Sequence, residues 1–487
     1  MVQPALKAHY DIAIIGSGFS GLCMGVACRQ AGRDDFVILE KAAAIGGTWR
    51  DNHYPGAACD VPSNMYSFSF EPNPNWSRMY SGQAEILRYM QHCATKYGLT
   101  PHVRTDSEVV ESHWDNSTQR WTIKLAGGQS LTARVIVSGV GGLSRPALPR
   151  IKGLDQFKGA LFHSADWQHD VNLQGKRVAV IGTGASAIQF VPAIAGQVGE
   201  LLLFQRTPPW IVPKPDGAIP APVRKVFKYI PPAQRLARHA IYWQSEFFGI
   251  GFVNPKLMAP ISALAKSHLK RQVPNPELRA KLTPNYTIGC KRVLFSNNYY
   301  PALTRDNVQV LTTGVKEITA DGVLDAQGQL HKVDVIICGT GFDVQNPLGP
   351  LHVYGDDGQE IRQHGGLSAY MGINTRQMPN LFFLLGPNTG LGHNSIIFMI
   401  EAQVQYTLKC LAELDRKKAT SITVKPEAEN AFNDHVQAQL KNMVWNAGGC
   451  SSWYLDENGK NNTLWPGFTW KYWLETRKPN FADYVFR

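Results

Sequence analysis

The chain has no C-x-x-C pair, no His/Cys spacing suited to zinc, no block of five consecutive basic residues, and no apolar run near the ~18 residues of a membrane span. Each absence removes a class of function. The eight cysteines, at 23, 28, 59, 93, 290, 338, 410 and 450, are scattered, so reduced and largely inert thiols are expected, with no disulfide framework and no metal site. The opening MVQPALKAHYD lacks a basic segment, an apolar run and a small-residue cleavage site in series. The expectation is therefore a soluble, cytoplasmic protein with no integral membrane segment. A formal net charge of +11 attracts polyanions, yet without a nucleic-acid module the expected anions are cofactor phosphates, not nucleic acid.

What is present is length and glycine. At 487 residues the chain exceeds one core and implies roughly two to four domains. Its 44 glycines and 30 prolines describe a loop-rich globular protein with many tight turns. In YDIAIIGSGFSGLCMGVACRQAGRDDFVILE, residues 10–40, an apolar run of buried-strand type enters GSGFSG, followed by helical spacing to Gly32 and a second strand ending in Glu40. Gly16 permits the tight turn, Gly18 lets backbone N–H groups approach a pyrophosphate, and Gly21 lets helix pack on strand. Glu40, 19 residues after Gly21, is placed to accept hydrogen bonds from a ribose.

Residues 176–207, KRVAVIGTGASAIQFVPAIAGQVGELLLFQRT, repeat the pattern with Gly182, Gly184 and Ala187 at the glycine positions. Here the second strand ends in Gln205 and Arg206 instead of an acid. A carboxylate there repels a 2′-phosphate, whereas a guanidinium pairs with it through two N–H donors, so this site is expected to take NADP(H). Thr183, Ala185, Ser186 and Gln189 in the turn and helix start, with Thr207, are the further expected contacts.

ARVIVSGVGG (133–142) and VDVIICGTGFD (333–343) run apolar into glycine-rich turns and close each unit. The predicted fold is α/β, with two Rossmann-like dinucleotide-binding domains. Residues 1–145 are assigned to FAD, 150–342 to NADPH, and 343–487 to a return segment with active-site loops. Residues 215–280, rich in Pro, Lys, Arg and aromatics, read as an amphipathic helical insertion in the second domain. Packing of its apolar stripe on its own domain is the leading expectation, and contact with a membrane surface or incoming substrate the alternative.

Two dinucleotides imply hydride transfer to flavin, after which the reduced flavin must pass electrons on. A disulfide acceptor needs a cysteine pair beside the flavin. The chain has Trp49 after GGT instead, and Cys23 and Cys28 stand at i, i+5 on one helix, facing apart. Oxygen is the remaining acceptor. FKGALFHSADW (157–167) has the spacing F-x-G-x-x-x-H-x-x-x-W, and GGTWRDNHYPGAACD (46–60) sets Gly46, Gly47, Thr48, Trp49, Tyr54, Pro55, Gly56 and Asp60 in one stretch.

On these two stretches, placed around two glycine motifs, the chain resembles the type I Baeyer–Villiger monooxygenases, flavoproteins that insert one oxygen atom beside a ketone carbonyl. The likeness continues through FQRTPPW, GCKRVLFSNNYYP (289–301), CGTGFD, GPNTGLGHNS (386–395) and SSWYLDENGKNNTLWPG (451–467). Gln168 departs from the family's usual Pro or Asp after the tryptophan. The resemblance implies an enzyme that consumes NADPH and O2, forms a flavin C4a-peroxide and converts a ketone to an ester or lactone. Abundant aromatic and apolar residues favour lipophilic ketones.

It implies Arg292 as the catalytic cation, a role suited to a side chain that cannot lose its proton, and Asp60 as the carboxylate that orients it and offsets its desolvation. Lys291 matches a lysine that holds the NADP 2′-phosphate. Gly47, Thr48 and Trp49 are assigned to the flavin wall, Tyr66 to the side of the isoalloxazine, and Trp453 to a fold over NADP and substrate. His163 and Trp167 are expected in the linker that couples motion of the NADPH domain to the site, with direct ligand contact by His163 left open. Oxidation of sulfide or amine heteroatoms, which has less need of Arg292, is the alternative activity. A monomer is the default expectation.

Overall fold

The structure, a computed structural model, describes residues 6–345, 348–364, 367–450 and 452–487. Strand β1 (His9–Ile15) carries DIAII into the turn at Gly16, helix α1 (Phe19–Gln30) follows, and β2 (Phe36–Leu39) returns parallel with Ile12 beside Phe36. Ile12 and Ile14 enter one apolar cluster while Tyr10, Ala13 and Ile15 enter another on the opposite face. Both faces are covered, which is what an unbroken apolar strand encodes. β3 (Ser130–Ser138) lies on the far side of β1, with Ile14 beside Val137. The sheet runs in space as residues 352–354, 109–115, 120–125, β3, β1, β2 and 103–104, and residues 381–383 pair with the end of β3. The last third of the chain therefore returns to the first sheet.

The second sheet is parallel throughout. Its elements are β4 (Ala160–His163), β5 (Arg177–Ile181), α2 (Ala187–Ile194), β6 (Glu200–Phe204), β7 (Val308–Leu311) and β8 (Val335–Cys338). The spatial order is β7, β6, β5, β8, β4, so the strand that opens the HSADW stretch is an edge strand. Between β6 and β7 lies the insertion, with helices α3 (Ala221–Tyr229), α4 (Pro231–Val253) and α5 (Ala259–Gln272). The expectation that it buries its apolar stripe on its own domain holds only in part. α3 buries no residue. The inner side of α4 faces the first sheet's loops and the C-terminal segment: Gln234 bonds Asn64, Arg238 bonds the Asn64 and Ser67 carbonyls, and Tyr242 meets Thr469.

Helix α6 (Ile396–Arg416) packs on α1, and α7 (Thr469–Thr476) packs on α6. Cys290 and Cys450 form a disulfide, which corrects the expectation of eight reduced thiols, while the other six cysteines are buried and free. The pair spans 160 positions, beyond any spacing rule. Among the described residues no helix is long and apolar enough to cross a membrane, and no group of three His, Cys, Asp or Glu side chains is placed to hold a metal.

Candidate active site

The stretch 46–60 crosses from one nucleotide unit to the other. At its start Gly47, with φ +49°, sets its backbone against Gly18, and a Cβ there would come within 3.0 Å of the Gly18 Cα. α1 begins one residue later with no side chain capping its first N–H groups. Bare backbone against an open, positive helix end is a cradle that suits a pyrophosphate. Trp49 donates through Nε1 to the Tyr66 hydroxyl at 3.0 Å, and Tyr66 also packs edge-on against Phe19. These two predicted flavin-side residues therefore meet. Glu40 is buried and held below the usual carboxylate range, because donors outweigh the upward push of burial. The donors are Ser17 N (2.9 Å) and Oγ (2.6 Å), Ala42 N (3.0 Å) and Arg50 Nη1 (2.9 Å). Glu40 thus fixes the Gly16–Gly18 turn, and a ribose would have to share it.

Further along, the Tyr54 hydroxyl donates to Gln189 Oε1 at 2.9 Å, and Gln189 Nε2 donates to the Ala58 carbonyl at 2.9 Å. Gly56, with φ +83°, lies under α2, where a Cβ would come within 2.7 Å of the Gln189 carbonyl oxygen. Gln189, predicted to touch cofactor, is a clasp between the two units in this structure. Its local sequence could not show this, because both partners lie more than 130 positions away.

Asp60 ends the stretch, anchored by pairing of Ala58 with Gly82 and by the bond from Cys59 N to the Ser81 carbonyl. Arg292 precedes Leu294–Phe295, a short strand parallel to Ile211–Val212. The two side chains meet at 2.7 Å, Arg292 Nε donating to Asp60 Oδ2, across 232 positions. Arg292 and Asp60 keep 33% and 26% of their side-chain surface open while lying deep among protein atoms, so they line a cleft and not the outer surface. Asp60 raises the guanidinium well above its usual value, overcoming burial. Burial pushes the Asp60 carboxyl up, and the charge and hydrogen bond of Arg292 more than offset it, leaving it low.

Two groups that sequence reasoning missed act on this pair. Lys214, just past Val212, is lowered by burial against the pull of Asp216, Cys59 and Asp60. Tyr454 is fully buried beside Arg292 and Asp60, and burial pushes its hydroxyl up to about 12. Only the adjacency of Tyr454 to Trp453 could have flagged it. Trp453 itself is 47% exposed, and its carbonyl accepts from Gln345 Nε2 at 2.7 Å. Ser451, which opens that stretch, lies outside the described residues.

At the second unit, exposed Arg206 lies near enough to half-buried Lys291 for its charge to act on it. Lys291 is lowered by burial and then by the Arg206 charge, and its Nζ sits 5.2 Å from the Tyr286 ring centre. Among the described residues neither makes an ion pair. An exposed arginine whose charge reaches a half-buried lysine fits an anion such as a 2′-phosphate. Thr183 donates through Oγ1 to the Thr207 carbonyl at 3.2 Å, joining two predicted contacts. The residues present thus fit both dinucleotides.

His163 is buried and lowered by burial, so it is neutral near pH 7. Its Nδ1 accepts from Ala165 N at 3.1 Å. Trp167 packs on Phe162 and on Phe190 of α2, and Tyr54 packs on Phe190 from the other stretch. His53 and His169 meet at 2.8 Å. The two fingerprint stretches therefore converge on α2. Gln168 is exposed, and its carbonyl closes a turn with Val171. A separate cavity of about 370 Å³, lined in part by Tyr370, Phe432, His435 and Trp465, contains none of the predicted site residues.

The family of flavin-binding monooxygenase-like proteins matches residues 9–221. A "Baeyer-Villiger monooxygenase" of Pseudomonas aeruginosa is 49% identical over 485 residues, covering 99% of this chain and 92% of that protein. Among solved structures, "Oxidized steroid monooxygenase bound to NADP" superposes with a TM-score of 0.88 at 28% identity, over 99% of both chains. "OTEMO complex with FAD and NADP" superposes with a TM-score of 0.87 at 26% identity, over the full length of both.

Proposed function

The chain belongs to the Baeyer–Villiger monooxygenases, and from that membership we propose how its own residues carry the reaction. It is an α/β oxidoreductase that uses NADPH and O2 to insert one oxygen atom beside a ketone carbonyl, giving an ester or lactone. Bound FAD, reduced by NADPH, supplies the activation of oxygen.

Arg292 lines the cleft as a permanent cation and would stabilise the negative charge that develops on oxygen at the reacting carbonyl. Asp60 holds the guanidinium through Nε, which leaves its terminal nitrogens free to donate. Trp49 and Tyr66 wall the flavin side, and Arg206 and Lys291 hold the 2′-phosphate that selects NADPH. Tyr454 and Trp453 bring the C-terminal loop over the site and exclude water. The substrate is a lipophilic ketone, and the domains are those read from the motifs: FAD-binding residues 1–145 and 343–487 around NADPH-binding residues 150–342.

The observation that carries this reading is the 2.7 Å contact between Arg292 and Asp60. Arg292→Ala tests it. NADPH should still bleach the flavin at a comparable rate, while ester formation, read by mass spectrometry as one added oxygen atom, should fall by roughly 10²–10³-fold. Ester formation at the parent rate would overturn the assignment.

A further inference from the structure

We propose that the outer face of the helical insertion, together with α7, docks on an anionic lipid surface. On α4, Leu236, Trp243 and Phe247 are 72%, 59% and 71% exposed, and Ile250 continues the same side of the helix. A surface helix ordinarily turns this side to water with charged residues, and single exposed apolar side chains are scattered. Here they form a ridge. α7 adds Trp470, Trp473 and Leu474 at i, i+3 and i+4, all exposed. The two helices are tied side by side, since Thr469 donates to Glu246 at 2.6 Å and meets the Tyr242 hydroxyl at 3.0 Å. Tyr229 and Ile230, exposed at the end of α3, lead into the ridge.

Charge selects the occupant. From Gly217 to Asn275 the sequence holds nine lysines and arginines and one acid, Glu246. That acid is 3% exposed and faces inward to Asn394 and Thr469. This eighth of the chain therefore holds most of the net charge of +11. Seven of the nine cations are exposed, among them Arg235 and Lys256 at α4 and Lys266, Lys270 and Arg271 on α5. A second copy docked on this face would set like charge against like. An anionic bilayer complements both features: tryptophan rings settle at the headgroup level, and lysine and arginine stems reach over apolar surface to phosphate. With no helix among the described residues able to span, the protein would lie on the surface. The inference does not depend on the proposed reaction.

The test is flotation of the FAD-loaded full chain with vesicles of phosphatidylcholine alone or with about 30% phosphatidylglycerol, at about 0.05 and 0.5 M salt. Partition onto the anionic vesicles should be about tenfold stronger or more, and weaker at high salt, since each nearby cation contributes roughly fivefold. Trp243→Ser with Phe247→Ser, and separately Lys266→Gln with Lys270→Gln, should each lose about tenfold or more. NADPH consumption with a water-soluble ketone should stay within about twofold in both variants. Equal binding to both vesicle types, or variants that bind like the parent, would overturn the proposal. So would a stable dimer in sedimentation that Trp243→Ser with Phe247→Ser dissociates, because the occupant would then be a second copy.

Discussion

Asp60 shows two opposing forces on one carboxyl. Burial raises it and Arg292 lowers it further than burial can raise it. A carboxylate whose folded pKa lies below its unfolded value stabilises the fold above that unfolded value, ~3.9 for aspartate, and loses the contribution as pH falls through the lowered folded value. Between about pH 5 and 10 the pair therefore stays charged and adds no inflection to the rate. Asp60→Asn keeps the shape, removes the counter-charge and lets the guanidinium turn. Misplacement by about 1 Å costs roughly 10²-fold, so oxygenation should fall by about that factor while flavin reduction is retained. Product analysis across that pH range checks both statements, and an inflection that Asp60→Asn abolishes would contradict the first. The Asp60–Arg292 contact was legible in the sequence only through the family resemblance. The supporting Lys214 and Tyr454 were not, since tertiary approach alone makes either of them part of the site.

At the scale of elements, α2 is where the two fingerprint stretches meet. Tyr54 and Trp167 pack on its Phe190, Gln189 clasps Tyr54 and Ala58, and Gly56 passes beneath the Gln189 carbonyl. The glycine of the Tyr-Pro-Gly turn thus has a packing cause: at φ +83° a side chain is strained, and a Cβ would press 2.7 Å from that oxygen. Gly56→Ala should cost roughly 1–3 kcal/mol in stability and slow NADPH-driven flavin reduction, as the clasp between units opens. Gln168→Asp restores the family's usual residue at an exposed position and should change stability by less than about 0.5 kcal/mol. Thermal melts and stopped-flow bleaching of the flavin separate the two. An unaffected Gly56→Ala variant would remove α2 as the joint. The glycine turns and strands were readable because each is local, whereas the clasp at Gln189 was not, since both of its partners lie more than 130 positions away.

Across the whole molecule, what the sequence left unread is long in range. The motifs predicted two nucleotide-binding units and the crossing from strand to helix in each, yet the ridge on α4 and the Cys290–Cys450 bridge emerge only from the folded chain. That bridge adjoins Lys291 and Arg292 at one end and the loop bearing Trp453 and Tyr454 at the other, so it ties the catalytic turn to the loop that covers it. Closing a loop of 160 residues restricts the unfolded chain strongly. The chain-entropy model gives about 5 kcal/mol, and native disulfides commonly contribute about 2–5. In a protein of this length the loss should lower Tm by about 2–5 °C. Thiol titration of the denatured protein should count six groups before reduction and eight after, matching the six free cysteines and the eight in the sequence. Reductant should lower Tm of the parent to that of Cys450→Ser and leave Cys450→Ser unchanged, because the effect resides in one bond. Eight thiols in the untreated protein, or a reduced parent that melts with the oxidised one, would show that the loop is held by packing alone.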